Sequence, residues 1–169
     1  MASTPNFIID TSCLTQAHRV YYPFDIAPSF WDFMLQHFTS GNFILTNKVV
    51  DEIAKGKDDI TNWMESQLSP SIELNCHEDA NIMLHYGSIM AWGNSQAQYT
   101  SLAKSEFADF DNADAFLVAT AIEKAVIVVS QEISAPLSKK SIKLPDVCTQ
   151  FGVTHIDTFT LLRTFGFTM

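Results

Sequence analysis

Four acidic residues stand where carboxylates could do chemistry. Asp10 follows directly on the apolar run Phe7-Ile8-Ile9, and Glu52 lies in "NKVVDEIAKG" (47–56) at the edge of a face formed by Val49, Val50 and Ile53. Asp114 opens "DAFLVATAIEKA", and Glu132 closely follows the β-branched run "VIVVS". Each has a plain structural reading. Asp10 suits the N-cap of "TSCLTQAH". Glu52 can pair with Lys48 four residues back. Asp114 suits the positive end of a helix dipole, and Glu132 suits a polar loop. Asp111 fits the N-cap of the helix that follows it and is read as structural. Taken together, the four ask for more. If they converge on one edge, each like-charge pair at ~4 Å and an effective dielectric of about 20 costs about 4 kcal/mol. A fold keeps such a cluster where a cation resolves it. Oxygen-only donors suit Mg²⁺ or Mn²⁺ rather than zinc or copper. Such ions activate water and clamp phosphate oxygens in phosphodiester hydrolysis.

Other chemistries find little support. The chain has no G-x-x-x-x-G-K-[ST], no G-x-G-x-x-G and no G-x-S-x-G. Its histidines (18, 37, 77, 85 and 155) show no H-E-x-x-H spacing, and His77 and His85, two helical turns apart, read as satisfied side chains. Cys13, Cys76 and Cys148 are odd in number and widely spaced, so they read as buried free thiols rather than a disulfide or thiolate-metal framework.

The elements that must position the acids follow from periodicity. Short strands are expected at 6–9, 42–45, 126–130 and 153–156, with 71–75 read as weak strand or coil and "SIKLP" (141–145) as a further short strand. Helices are expected at 28–38, stopped by Gly41, then at 47–56 and 58–68. A helical pattern runs from 77 to about 108 with a break at Gly93-Asn94. Further helices are expected at 111–125, apolar almost all round and so buried, at 145–152 with Pro in the first turn, and at 157–166. Strands alternating with helices predict an α/β fold with a short, mainly parallel central sheet. In such sheets ligands bind outside the carboxyl ends of the strands. Asp10 lies at that place.

The 169 residues, 47% hydrophobic and 17% charged, suit one globular domain over 1–169. A net charge of −9 argues against holding nucleic acid mainly by counterion release. Contact with nucleic acid must then be local, and the acidity equally suits a basic protein partner. The densest basic run is "SKKSIK" (138–143), where Lys139, Lys140 and Lys143 follow Glu132 and are candidates for holding an RNA backbone. No apolar run is long enough to span a bilayer. The opening "MASTPN" lacks the basic and apolar parts of a signal peptide, so a cytoplasmic protein without membrane contact is expected.

"FIIDTS", "VVDEI", "DAFLVATA" and "VIVVSQE" follow one another in the order and spacing of the PIN-domain ribonucleases, which this chain resembles. "RVYYPFDIAPSFWD" and "KLPDVCTQFGVTHIDTFTLLRTFG" resemble a sparsely described PIN-like family of bacterial proteins of about this length, so the likeness covers nearly the whole chain. The resemblance implies a PIN-like α/β/α sandwich. It places Asp10, Glu52 and Asp114 on three catalytic, metal-binding positions, with Glu132 where the family usually has Asp. Ser12 matches the small polar residue that orients the first acid. It further implies a Mg²⁺- or Mn²⁺-dependent endoribonuclease, a role as toxin restrained by an antitoxin protein, and a homodimer. A PIN-like binding module without turnover, supported by the aromatic stretch "YYPFDIAPSFW", and a structure-specific DNA nuclease are the alternatives.

Overall fold

The computed structural model describes residues 6–169. Strands β1 (Phe7–Ile9), β2 (Phe43–Thr46), β3 (Glu73–Leu74), β4 (Ile127–Val129) and β5 (His155–Ile156) form one sheet in the order β3-β2-β1-β4-β5. Every pairing is parallel, with Ile8 opposite Ile44 on one side and Val128 on the other. All residues of β1 and β2 are buried. A strand covered on both faces needs apolar side chains throughout, so these segments read as unbroken apolar runs rather than alternating ones.

The helices are α1 (Thr11–Gln16), α2 (Pro28–Ser40), α3 (Asn47–Gly56), α4 (Asp59–Gln67), α5 (Ala80–Ser95), α6 (Ser101–Phe107), α7 (Asp114–Lys124), α8 (Leu144–Gln150) and α9 (Thr158–Thr164). Gly41 ends α2 in the left-handed region at φ 82°, which a residue without Cβ adopts at little cost. α1 packs on α3, while α5 and α8 pack on α7. α7 is buried from Ala115 through Ala121, which explains its nearly all-apolar sequence.

Two expectations fail. The helix that contains Gly93 and Asn94 runs on to Ser95. A Cβ on Gly93 would meet the Phe107 ring at 3.0 Å, so this glycine admits the neighbouring helix α6 rather than breaking its own. "SIKLP" forms no strand; α8 begins inside it, at Leu144. Proline at the second position of α8 costs nothing there, because early helical N–H groups have no intrahelical acceptor.

At the amino ends of the strands the sheet is closed by aromatic rings. Phe7 and Phe43 meet edge to face at 6.0 Å, and Phe165 packs on both at 5.7 and 5.6 Å. Phe33 and His37 from α2 complete the cluster, with His37 4.4 Å from Phe165. The aromatic rings of "YYPFDIAPSFW" pack largely inward, Tyr22 stacking on Phe30 at 4.5 Å and Phe24 on Trp31 at 4.2 Å, while Tyr21 and Ile26 are exposed. All three cysteines are buried and free, as expected. Among the described residues no helix is long and apolar enough to cross a membrane. Residues 1–5, which carry most of the "MASTPN" expectation, lie outside the described residues.

Candidate functional site

Sequential strands β1, β2 and β3 run outward to one side of β1, and β4 and β5 lie on its other side. The direction of winding therefore reverses between β1 and β4. A crevice opens at the carboxyl ends of strands at such a point. A cavity of about 530 Å³ lies here, lined by Asp10, Glu52, Asp114 and Glu132 together with Thr11, Ser12, Thr15, Glu106, Asp109, Asp111 and Asn112. The four acids named by the sequence thus share one cavity, although they come from four separate segments.

Asp10 is only 3% exposed. Its backbone N–H completes the ladder to Val129 at 3.0 Å, which places its side chain just past the strand end. The carboxylate caps α1, accepting from Ser12 N at 3.2 Å and from Ser12 Oγ. The N-cap reading of Asp10 is therefore right, and it coexists with a place in the cavity. Ser12 Oγ also accepts from Gln131 N at 2.9 Å, tying the end of β1 to the segment after β4. Burial raises the Asp10 pKa from 3.8 to about 7. The Ser12 hydroxyl opposes the shift, while the charges of Glu132 and Glu52 add to it.

Asp114 is half-buried at the first turn of α7. Burial pushes its carboxyl well above the usual range, and Asp10, Glu132 and Glu52 add to the shift. Lys143 works in the opposite direction, so this lysine lies within electrostatic reach of the cavity. Lys139 and Lys140 are exposed and do not line it. Asp111 does not cap α7: its carboxylate pairs with Lys55 at 3.1 Å, and Asn112 Oδ1 accepts from Asp114 N at 2.9 Å instead. An amide one position closer reaches the N–H more directly.

Glu52 does not pair with Lys48 among the described residues. It accepts from the Thr11 hydroxyl and from Ala113 N at 3.0 Å, bridging α1, α3 and the turn before α7. Lys48 is 3% exposed and donates to the Phe110 carbonyl at 2.6 Å, with its ammonium 3.8 Å from the Phe110 ring centroid and 4.5 Å from that of Phe116. Cation–π contact and one strong acceptor stand in for a carboxylate partner. Lys48 thereby pins the 108–113 turn, whose Asp109, Asp111 and Asn112 form the cavity rim. Sequence reasoning missed Thr11, Asn112 and Lys48. The one available signal was a lysine on the apolar side of a helix.

Glu132 touches the cavity wall, but its Oε2 accepts from Leu144 N at 3.1 Å, the first residue of α8. Among the described residues no three His, Cys, Asp or Glu side chains stand close enough together to hold an ion as they are placed. Glu52, Glu132 and Asp10 are each held by hydrogen bonds of their own. Chemically, the arrangement is a recessed anionic wall with one lysine near it, a field that attracts a hard cation or a guanidinium.

The chain belongs to the family described as a domain of unknown function, DUF4411, which matches residues 7–169. No curated protein matches it significantly. Among solved structures it is similar to VapBC2 from Rickettsia felis, in a complex with a DNA fragment from the promoter. That likeness has 12% identity and a TM-score of 0.48, covering 89% of this chain and 97% of that one.

Proposed function

We propose that this chain is a PIN-like endoribonuclease that uses Mg²⁺ or Mn²⁺. The observation that carries the reading is the shared cavity of Asp10, Glu52, Asp114 and Glu132 at the reversal of the sheet. The donor set fits a hard divalent ion. It is all oxygen, and burial together with neighbouring carboxylates raises the Asp10 and Asp114 pKa values, which an opposite charge would relieve. Asp10 and Asp114 would hold the ion, with Glu52 and Glu132 on the wall around it. When bound, the ion supplies an activated water and a clamp on phosphate oxygens. Ser12 fixes the Asp10 carboxylate, and Thr11 with Ala113 N fixes that of Glu52. Such partners set how accurately the acids meet an ion. Lys143, beside Asp114, is placed to hold a backbone phosphate as it enters, with Lys139 and Lys140 following it outward.

The anionic wall also fits a protein that restrains the enzyme. An Arg side chain from an antitoxin would pair bidentately with the same carboxylates, displace the ion and block the phosphate. On this reading the chain is the toxin of a toxin–antitoxin pair. A second reading, a binding module without turnover, draws on one observation: no three acidic side chains among the described residues stand at ligating distance as they are placed. The deciding experiment incubates the purified chain with single-stranded RNA in Mg²⁺, Mn²⁺ or EDTA, beside Asp10→Asn. Cleavage by the wild type alone, only with metal, is expected. RNA left intact in both metals would sink the nuclease and leave the binding module.

A further inference from the structure

A second cavity, of about 680 Å³, shares Glu132 with the acidic one as a lining residue. Its lining is more mixed in chemistry: Gln16 and Gln131 offer amides, Tyr21 and Phe159 offer rings, His155 offers an imidazole, and Asp157 adds one carboxylate. Tyr21 and Phe159 meet edge to face at 5.1 Å, with Tyr21 44% exposed. Beside them Ile133 is 82% exposed. Gln131 and His155 are anchored. Gln131 Oε1 accepts from Thr158 N at 3.2 Å, and its amide N–H groups make no hydrogen bond among the described residues. His155 Nε2 bonds Ser130 Oγ at 2.8 Å, and the same hydroxyl accepts from Glu132 N at 3.2 Å. A fixed network therefore links this cavity to an acid of the first.

We propose that this second cavity binds an unpaired nucleobase of the RNA strand whose phosphate enters the acidic cavity. The inference rests on the nuclease reading and adds where the strand runs. Tyr21 supplies an exposed face for stacking, and Gln16 and Gln131 supply donors and acceptors for a base edge. Single-stranded RNA is bound in this way, by aromatic platforms that accept splayed bases. The volume falls within the ~300–1,000 Å³ range of small-ligand pockets. A base in a duplex is stacked and paired on both sides and cannot enter, so this cavity selects single strands. Glu132 lines both chambers, so base and phosphate would both bind beside it.

The test uses the full chain in EDTA and in Mg²⁺, with a fluorescently labelled single-stranded RNA and the same RNA annealed to its complement. Wild type, Tyr21→Phe, Tyr21→Ala and Gln16→Ala are compared by anisotropy, with circular dichroism confirming the fold. Tyr21→Phe keeps the ring against Phe159, and Tyr21→Ala is read only where its circular dichroism matches the wild type. The expected result is preference for the single strand, a loss of about tenfold in affinity for Tyr21→Ala, and near-wild-type binding for Tyr21→Phe. Competition by a nucleoside monophosphate would assign the cavity to a free base as well as to one in a strand. A Tyr21→Ala protein that binds and cleaves RNA like the wild type overturns this inference and leaves the nuclease standing. A wild type that binds no RNA overturns both. A Tyr21→Ala protein that keeps its RNA affinity but loses a co-purified protein gives the cavity to a partner and overturns the base assignment.

Discussion

The two edges of one sheet have been given opposite chemistry. The amino ends of β1 and β2 are sealed by Phe7, Phe43, Phe33, Phe165 and the neutral ring of His37. The carboxyl ends of β1 and β4 open onto Asp10, Ser12 and Glu132. The strands between are only three or four residues long, so the edges lie close together. Aromatic burial at one edge stabilises the fold, and crowded carboxylates at the other destabilise it. The difference teaches where this protein can tolerate strain: the edge that gathers buried carboxylates is held in place by the edge packed with rings.

The sharpest way to break the comparison is to neutralise the acidic edge. Asp10→Asn keeps the shape of the side chain and removes its charge. Metal-dependent RNA cleavage should fall by more than about a hundredfold, beyond the upper end of what losing an outer partner of a metal ligand costs. Initial rates on a labelled RNA measure it, and full activity would remove Asp10 from the chemistry. At the other edge, Phe43→Ala should cost about 3–5 kcal/mol of stability by urea titration, as large-to-small changes in buried aromatics do. The fraction that stays folded should keep wild-type specific activity.

The two edges should also answer pH with opposite signs. In the native state Asp10 holds its proton up to about pH 7, whereas its ordinary pKa is 3.8. Over that window the folded chain binds more protons than the unfolded one, so the Asp10 contribution is present below pH 4 and is lost as pH rises towards 7. At most it amounts to about 4 kcal/mol. Burial lowers the pKa of His37 below 6.5, so its contribution is present above that pH and is lost as pH falls. Urea midpoints in EDTA across pH 4–8 should reveal a falling component that Asp10→Asn reduces, the remainder belonging to Asp114, whose carboxyl burial also raises. Saturating Mg²⁺ should flatten it, because a bound cation stabilises the charged form. A midpoint independent of pH in wild type and variant alike would refute the assignment.

A smaller effect is expected from Lys48→Met, which keeps the stem against Phe110 and Phe116 but frees the 108–113 turn. Metal affinity should drop roughly tenfold, the low end for an outer-partner loss, with the fold intact. Calorimetric titration with Mn²⁺ measures this, and unchanged affinity would confine Lys48 to packing. The mildest change is Lys139, Lys140 and Lys143 replaced together by Ala. If all three meet phosphates, the slope of log affinity against log salt should lose about 2 units. An unaltered slope would return the segment to ordinary surface.

Much of this architecture was legible in the sequence. Four of the five strands and the main helices lie where apolar periodicity and the stops at Gly41 and Gly56 put them, and β3 falls in the stretch read as weak strand or coil. Asp10 and Asp114 were legible because an acid directly after an apolar run, or at the start of an apolar helix, sits where burial penalises charge; Glu52 and Glu132 were named from the elements they lie on or follow and from the PIN-domain resemblance. The misreadings share a cause. Gly93 reads as a breaker because its reason for being small is the ring of Phe107, fourteen residues on. Asp111 reads as a cap because single-residue preference cannot tell it from Asn112. "SIKLP" has strand composition, yet its Leu144 N–H is taken by Glu132 rather than by a sheet neighbour. Lys48 was illegible because its carbonyl partner lies 62 residues away in sequence. Local pattern locates elements; it does not show which side chains another element will reach.

The pairing of Ile8 with Val128 has a consequence in time. After β1 leaves the ribosome, its partner residue Val128 still lies 120 positions beyond Ile8 (128 − 8), so β1 finds its central neighbour late. Contacts so distant in sequence carry a large loop-closure cost and form slowly. Until β4 docks, Asp10 and Glu132 have no common cavity, and Ser12 has no Gln131 N–H to receive. A growing chain therefore carries the separate pieces of an anionic pocket but not the pocket. Whatever the finished protein does with it begins only after translation has passed residue 132, a delay written into the strand order itself.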